Sequence, residues 1–463
     1  MGDKKLRAGL GDDYVRQLFA VYGERLPNQS DLCCYWFEKA RGAIAGKRCK
    51  RACLLATQGI RGGANRAVLE RIKEMGNIFF AESDRDWILE GANVHVSMVG
   101  FDDGADGKRS LDGRRVATIN SNLSAAADVT SARPLAAMAG IGFIGVAQKA
   151  PFDLPDTVAR TMLLSANPHG RPNSDVLRPI CNAQDITRQY RRVWNVDFGL
   201  DMPLAGAERY EQPFEQIRKS VYPLRVEHRE QRQVKYWWLF ARPCPDMRAG
   251  LFGLERFLAT PRVSKHRVFV WLTPEILCDS AVVAFGGTDD FFFGVVQSRA
   301  HEVWSLKLGT RLETRPRYTP TTSFETFPFP DVSPAQSAAI AAAAQELDQL
   351  RNGWLNPPEW TREEVLTFPG SVDGPWARYI ESTNSRGIGT VRYRRLVPLD
   401  ADCAKELAKR TLTNLYNQRP AWLANAHRRL DEAVFASYGW PADLAHDDIL
   451  AKLLELNLAS APA

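Results

Sequence analysis

What this sequence lacks narrows the reading first. No apolar run in its 463 residues approaches the ~18 that a membrane-spanning helix needs. Residues 1–10 are charged and contain glycine, so no secretory leader is expected in them. Without Ser or Thr at position 6 they are no myristoylation signal either. A cytoplasmic location with no membrane partner is expected. Eight cysteines are present, none in a Cys-x-x-Cys pair, which argues against a disulfide framework and a zinc ribbon. Seven histidines never approach Cys49 and Cys53 at ligand spacing, and His301-Glu302-Val303-Trp304 has no second His one helical turn on. No metal site is therefore expected, and the thiols are expected to act as small buried groups. Internal repeats and low-complexity tracts are also missing. Charge of one sign is scarce overall: 60 basic against 54 acidic residues leave +6, which permits a polyanionic partner without requiring one.

What is present is an ordinary globular composition, 45% hydrophobic and 25% charged, with length for roughly two to four domains. Residues 51–60 (RACLLATQGI) predict a buried strand. Residues 64–75 (ANRAVLERIKEM) put Ala67, Val68, Ile72 and Met75 on one helical face, and residues 77–81 and 92–101 predict two more strands. Strand, helix, strand, short connector, strand is expected to build one half of a parallel, partial Rossmann-like α/β sheet. No complementary half is visible elsewhere. Upstream, a helix over 32–44 presents Leu32, Tyr35, Trp36 and Ala40, with Ser30 or Asp31 as its cap.

Two motifs invite chemistry and are better read as structure. Gly140-Ile141-Gly142-Phe143-Ile144-Gly145 has the G-x-G-x-x-G spacing, but no clear strand leads in and no helix pattern follows, so close backbone approach is the expected role. Asn356-Pro357-Pro358-Glu359 follows an alanine-rich helical stretch, 334–350, and is expected to stop that helix.

The residues also carry a family resemblance. Residues 31–40 (DLCCYWFEKA), 54–72 (LLATQGIRGGANRAVLERI) and 77–104 (NIFFAESDRDWILEGANVHVSMVGFDDG) resemble the second half of class I S-adenosylmethionine-dependent adenine-N6 DNA methyltransferases of the type IIG and type IIL restriction-modification, or phage-defence, group. Met1-Gly2-Asp3-Lys4-Lys5-Leu6 resembles the segment that follows that family's Asn-Pro-Pro-aromatic motif. Residues 173–179, 182–187 and 194–199 resemble the opening of its target-recognition domain, and residues 322–330 (TSFETFPFP) resemble the close of it. Residues 438–458 resemble the family's C-terminal helical cap.

The resemblance implies a C-terminal half of a catalytic domain over 1–108, an α+β target-recognition domain over 109–332 and an α-helical domain over 333–463. It implies double-stranded DNA as partner and S-adenosylmethionine as cofactor of the complete enzyme. In the family the Asn-Pro-Pro-aromatic motif grips a flipped adenine. That motif has no counterpart in its proper place here, so no catalytic residue is assigned. A truncated or split enzyme is expected, inactive alone and complemented by a longer polypeptide or a separately encoded N-terminal half. A non-enzymatic DNA-specificity subunit is the alternative.

Candidate DNA contacts follow from charge and position. Arg61 and Asn65 sit in the loop 59–65 at the carboxyl end of the first strand, where ligands of open α/β sheets gather; a tight turn capping the next helix is the other reading of this loop. Arg178 and Arg188 flank the turn residues of the recognition region. Between 205 and 267 thirteen Lys or Arg stand against seven acids, with Tyr222, Tyr236, Trp237, Trp238 and Phe240 interleaved. From this stretch Arg229, Arg232, Lys235, Arg262, Lys265 and Arg267 are expected to meet DNA. Taken residue by residue, 227–242 reads as a solvated amphipathic helix with its Tyr and Trp in the core; taken as a region, its localised charge points to DNA. Residues 262–272 and 290–296 predict strands, 370–389 a loop, and 400–417 and 421–438 helices.

Overall fold

The computed structural model describes residues 3–89, 92–125, 128–312 and 315–460. It divides into two compact units, one holding residues up to 133 together with 445–460, the other residues 134–444. No helix among the described residues is long and apolar enough to cross a membrane.

In the first unit α1 (Asp3–Leu10) and α2 (Asp12–Tyr22) lead to α3 (Leu32–Ala45), which buries Cys34, Tyr35, Phe37 and Ile44. Glu38 is buried on the same helix. Burial opposes its ionisation, but Arg41 (2.8 Å) and Arg71 (3.2 Å) outweigh this and hold the carboxyl below its ordinary range. There follow β1 (Arg51–Thr57), two 3-10 turns (Gln58–Arg61 and Gly63–Arg66), α4 (Ala67–Met75), β2 (Asn77–Leu89), β3 (Ala92–Asp102), β4 (Arg109–Leu111) and β5 (Arg114–Val116). Val68, Leu69 and Ile72 of α4 join Phe37, Ala56, Ile78, Val99 and Phe101 in one core.

The sheet order is β1-β3-β2-β4-β5. Here the expected parallel half-sheet is corrected. β1 and β2 do run parallel to each other, but β3 lies between them antiparallel to both, with Leu54 and Ala81 each paired to Val99. The reason is the connection. Only residues 90 and 91 separate β2 from β3, and so short a link joins antiparallel neighbours only, whereas a parallel neighbour needs a crossover of a dozen or more residues. Among the described residues β1 pairs with β3 alone, and most of its side chains are exposed. Helix His446–Ser460 belongs to this unit. Its Asn457 accepts from the Arg133 N–H and donates to the Arg133 carbonyl, both at 2.8 Å.

The strands of the second unit are β6 (Gly142–Ile144), β7 (Asp153–Leu154), β8 (Leu177–Cys181), β9 (Trp194–Val196), β10 (Phe257–Pro261), β11 (Val270–Leu272), β12 (Leu277–Cys278), β13 (Val282–Phe285), β14 (Thr310–Leu312), β15 (Arg315–Arg317), β16 (Thr361–Ser371), β17 (Ile380–Thr383) and β18 (Ile388–Pro398). They form an antiparallel sheet β11-β10-β13-β6, a mixed sheet β12-β8-β9-β7, a hairpin β14-β15 and an antiparallel sheet β16-β18-β17.

Its helices begin with α5 (Asp156–Leu164), α6 (Ala183–Thr187), α7 (Leu204–Ala207), α8 (Glu211–Ser220), α9 (Tyr222–Arg225), α10 (Gln231–Lys235) and α11 (Pro245–Leu251). They continue with α12 (Asp290–Gln297), α13 (Arg299–Leu308), α14 (Pro334–Leu355), α15 (Ala401–Leu407), α16 (Leu412–Gln418) and α17 (Ala421–Ser437). α12, α14 and α17 pack together. A Cβ on Gly294 would lie 2.6 Å from Ile340, so glycine sets the approach of α12 to α14.

Three local expectations change. Residues 290–296 form a helix: Asp289 caps it by accepting the Phe292 N–H at 2.7 Å, and a short apolar run cannot by itself tell a buried helix from a buried strand. Residues 262–272 are mostly loop, strand only from Val270. The stretch 361–398, placed in a helical domain and read as loop over 370–389, is a three-stranded sheet whose β16 and β18 pair across eleven positions. Pro369, Gly370 and Gly389 obscure that antiparallel alternation; Pro369 and Gly370 sit on the edge strand β16, and Gly389 lies at the irregularity between β17 and β18.

Candidate nucleic-acid interface

The loop between β10 and β11 gathers the basic residues 262–267 and sets them beside the β14-β15 hairpin. Val263 bridges Arg317, and the Tyr318 N–H donates to the Arg262 carbonyl at 2.6 Å. Lys265 is exposed and donates to Asn417 Oδ1 at 2.7 Å, with His266 beside the same oxygen. Arg262 is half-buried and donates to the Ser280 carbonyl at 2.8 Å; burial and the nearby Arg317 lower its pKa. Arg315 and Arg317 add two cations on the hairpin, Arg315 exposed and Arg317 half-buried. Reading the sequence for charge excess missed this pair, although alternating Arg in Arg315-Pro316-Arg317 puts both on one face of a strand.

Arg267 does not belong to that surface. It is 5% exposed, lies 4.8 Å from the Tyr318 ring centroid and donates to Thr260 Oγ1 and to the Pro261 carbonyl. Burial pushes its guanidinium down to about 10. The expected phosphate contact is corrected to a core role: the side chain satisfies buried oxygens and leaves nothing for solvent. Below it Tyr318 and His301 share a hydrogen bond of 3.0 Å, and His301 Nδ1 meets the Val296 carbonyl at 2.7 Å. A carbonyl only accepts, so Nδ1 carries the proton and Nε2 accepts from the tyrosine. Burial holds His301 neutral, down to about 3.

The other expected contacts scatter. Arg61 is half-buried and pairs with Asp84 at 2.8 Å. Asn65 braces α3: its Nδ2 donates to Asp31 Oδ2 at 3.0 Å, while its Oδ1 accepts the Asp31 N–H at 2.7 Å. Arg178 turns inward to the Glu275 and Pro274 carbonyls and lies 3.8 Å from Asp197, its pKa lowered by burial. Arg188 is exposed, on the wall of a cavity. Arg229, Arg232 and Lys235 are exposed on or beside α10, a five-residue helix, not a long amphipathic one. Arg232 donates to the Ala241 carbonyl at 2.7 Å and Lys235 lies over Tyr236 at 5.2 Å.

The charge excess over 205–267 is thereby reduced. Arg225, Arg248, Arg256, Arg262 and Arg267 serve internal carbonyls, Asp197, Asp290 and aromatic rings. Arg209, Arg218, Lys219, Arg229, Arg232, Lys235, Arg242 and Lys265 remain on the surface, eight cations against the seven acids of the same stretch. The stretch is not strongly electropositive.

Neither glycine-rich segment fits the methyl donor. In the 140–145 motif the Gly145 N–H donates to the Val282 carbonyl at 3.1 Å, and a Cβ there would lie 2.2 Å from the Asp279 oxygen. That amide is consumed by a neighbouring strand and residues 142–144 pair with β13, as close backbone approach requires. Residues 59–65 close on themselves as 3-10 turns. Asn356 is the C-terminal cap of α14, in accord with a helix stop. No step is assigned through S-adenosylmethionine here. Among the described residues no three His, Cys, Asp or Glu side chains are placed to hold a metal ion.

Comparison with known proteins fits this geometry. No curated protein sequence matches. Residues 252–331, which contain β10, the 262–267 loop, β13 and the hairpin, match the family model of the MmeI target recognition domain. A solved structure of the type IIL restriction-modification enzyme MmeI in complex with DNA is similar, with a TM-score of 0.69 at 18% identity, over 97% of this chain and 55% of that one. This chain thus spans about half the length of that relative. It is similar in fold to a type IIL restriction-modification enzyme along nearly all its residues, and residues 252–331 match that enzyme's target-recognition family.

Proposed function

We propose that this chain recognises a specific sequence in double-stranded DNA on behalf of an adenine-N6 DNA methyltransferase of a type IIL-like restriction-modification system. The observation that carries the reading is a coincidence of place. The stretch that matches a target recognition domain, 252–331, is the one that sets the 262–267 loop against the arginine hairpin 315–317. Cations there supply the salt-sensitive phosphate contacts, and short side chains of the same loops read base edges. On this reading residues 1–108 are the C-terminal half of the catalytic domain, 109–332 the recognition domain and 333–463 the C-terminal domain. The complete enzyme would use S-adenosylmethionine, transferring its methyl group to a flipped adenine.

The residues present supply neither donor loop nor Asn-Pro-Pro-aromatic motif, which supports catalysis shared with a further segment. Among the described residues the outer edge of β1 carries no partner strand, and this is the surface on which a further strand would extend the sheet. The second reading, a subunit that only targets, is favoured by the same misfit to the donor.

The test is selection of duplexes from a randomised pool by the purified chain, followed by a methyl-transfer assay with S-adenosylmethionine alone. Enrichment of one short motif, bound more weakly as salt rises, with no N6-methyladenine formed, is expected. Failure to enrich any motif would overturn the recognition reading. Methylation by the chain alone would overturn the shared catalysis.

A further inference from the structure

The second unit holds a cavity of about 560 Å³ between the β8-β9 region, β11, the end of α14, β18 and α16. Its volume falls within the range of small-molecule sites. Ile186, Leu272, Leu355 and Leu412 give it apolar walls. Set among them are polar groups that the protein leaves unanswered. The Tyr190 hydroxyl and the Trp271 indole N–H are buried and have no hydrogen-bond partner among the described residues. The Asn356 side-chain amide and the exposed Arg188 guanidinium line the same space, also without a hydrogen bond among those residues. Buried polar groups of native proteins are nearly always paired, so two orphans on one cavity point to a missing partner.

The chemistry of the orphans restricts that partner. Trp271 can only donate, so it needs an acceptor. Asn356 offers a donor and an acceptor side by side, the pattern that answers the edge of a nucleobase. Arg188 offers a forked cation at the wall, suited to a phosphate. Arg192 lines the same cavity, its backbone held in the left-handed region at φ 56, with one nitrogen on the Leu396 carbonyl at 3.0 Å. Inorganic phosphate would leave the apolar walls and the amide unmet. A purely apolar molecule would leave the donors and the cation unmet.

We propose that this cavity binds a nucleotide, its base against the apolar walls and the Asn356 amide, its phosphate on Arg188. The nucleotide is either free or extruded from a bound DNA strand. Both present the same base and phosphate.

Calorimetry of the full chain with AMP, GMP, CMP and TMP, with inorganic phosphate and adenosine as partial probes, tests it. At least one monophosphate is expected to bind with one site per chain, tenfold or more tightly than either partial probe. Arg188→Ala should weaken it at least tenfold, and Asn356→Leu should alter the ranking of the four bases. Arg188 is on the surface, so that variant folds, and an unchanged melting curve confirms it. The source is read by adding the preferred monophosphate to chain bound to duplex. Displacement of the duplex assigns the extruded nucleotide, and simultaneous binding assigns the free one. Absence of binding by all four monophosphates, together with identical 2-aminopurine fluorescence of a bound labelled duplex for wild type and both variants, would overturn the proposal. The free-nucleotide measurement contains no DNA, so its outcome is separate from that of sequence recognition.

Discussion

Arg267 lies over the ring of Tyr318, its guanidinium carbon 4.8 Å from the ring centroid, and both side chains are buried. A cation this deep is held by the ring, by Thr260 and by the Pro261 carbonyl, while the Thr260 hydroxyl itself donates to the Val268 carbonyl at 2.7 Å. Removing it deprives the buried Pro261 carbonyl of this donor and leaves a cavity beside Tyr318, at about 3 kcal/mol. Arg267→Ala should therefore lower the melting temperature markedly. Arg229→Ala, at an exposed position, should leave it unchanged. Equal melting curves for the two would show that Arg267 is not a core residue.

The hairpin should dominate the salt dependence of DNA binding. Every phosphate deprived of its cationic side chain reduces the slope of log K against log salt by about 0.9. Arg315→Ala with Arg317→Ala should flatten it by up to about 1.8. Arg229→Ala with Lys235→Ala lies in a stretch whose surface cations are nearly matched by acids, and should change it much less. Fluorescence anisotropy across a salt series measures both. A larger effect from the second pair would move the interface to α10.

What the sequence disclosed, and what it withheld, has a physical pattern. Helices with a periodic apolar stripe were legible: α4, α14 and α17 lie close to where their spacing put them. Pairing direction was not, since two residues of connector decide whether β3 is parallel or antiparallel to β2 and hydropathy is silent on that. Arginine was the least legible residue type. The same side chain that seeks phosphate also bridges buried carbonyls, and nothing in the local pattern around Arg225, Arg248 or Arg267 distinguishes the two uses. Partners far along the chain do, as Asp197 does for Arg248 at 2.9 Å.

Asn65 offers a contrast of the same kind nearer the N-terminus. Two of its hydrogen bonds tie the loop after β1 to the start of α3 through Asp31. Asn65→Ala should cost about 1–3 kcal/mol. Arg61→Ala, which removes a partly exposed pair with Asp84, should cost less than about 1 kcal/mol. Urea unfolding of the two variants compares them directly. The opposite order would mean that Arg61, not Asn65, organises the loop.

Gly145 should tolerate no side chain. A Cβ would lie 2.2 Å from the Asp279 oxygen and 2.3 Å from the Cys278 oxygen, both backbone atoms that cannot swing aside. Gly145→Ala should destabilise by about 2 kcal/mol or more. Gly140→Ala meets no atom within 4 Å, but its φ of 71 still strains an alanine, at about 1 kcal/mol. Differential scanning calorimetry should rank Gly145→Ala below Gly140→Ala, and the reverse order would remove the close-approach account of this motif.

Asp431 gives stability a dependence on pH whose sign can be worked out. Its Oδ1 accepts the Arg299 N–H at 2.7 Å at the start of α13. Burial pushes its carboxyl up to about 6, with Glu302 adding to the rise while the Arg299 amide and the Arg299 and Arg419 charges oppose it. A carboxyl raised in the folded state binds its proton more tightly there than in the unfolded chain. Folding is therefore favoured below about pH 4, the advantage fades as pH rises toward 6, and above that the buried charge costs up to about 3 kcal/mol. His301 and His427, both held neutral by burial at about 3, act in the opposite direction, since the folded state loses stability as pH falls below 6.5. The raw pH profile mixes the two, so the informative quantity is the difference between wild type and Asp431→Asn. Asparagine keeps the acceptor for Arg299 and carries no charge. The variant should melt several degrees above wild type at pH 7.5 and at the same temperature by pH 4. A gap that persists unchanged at pH 4 would assign the gain to packing and not to ionisation.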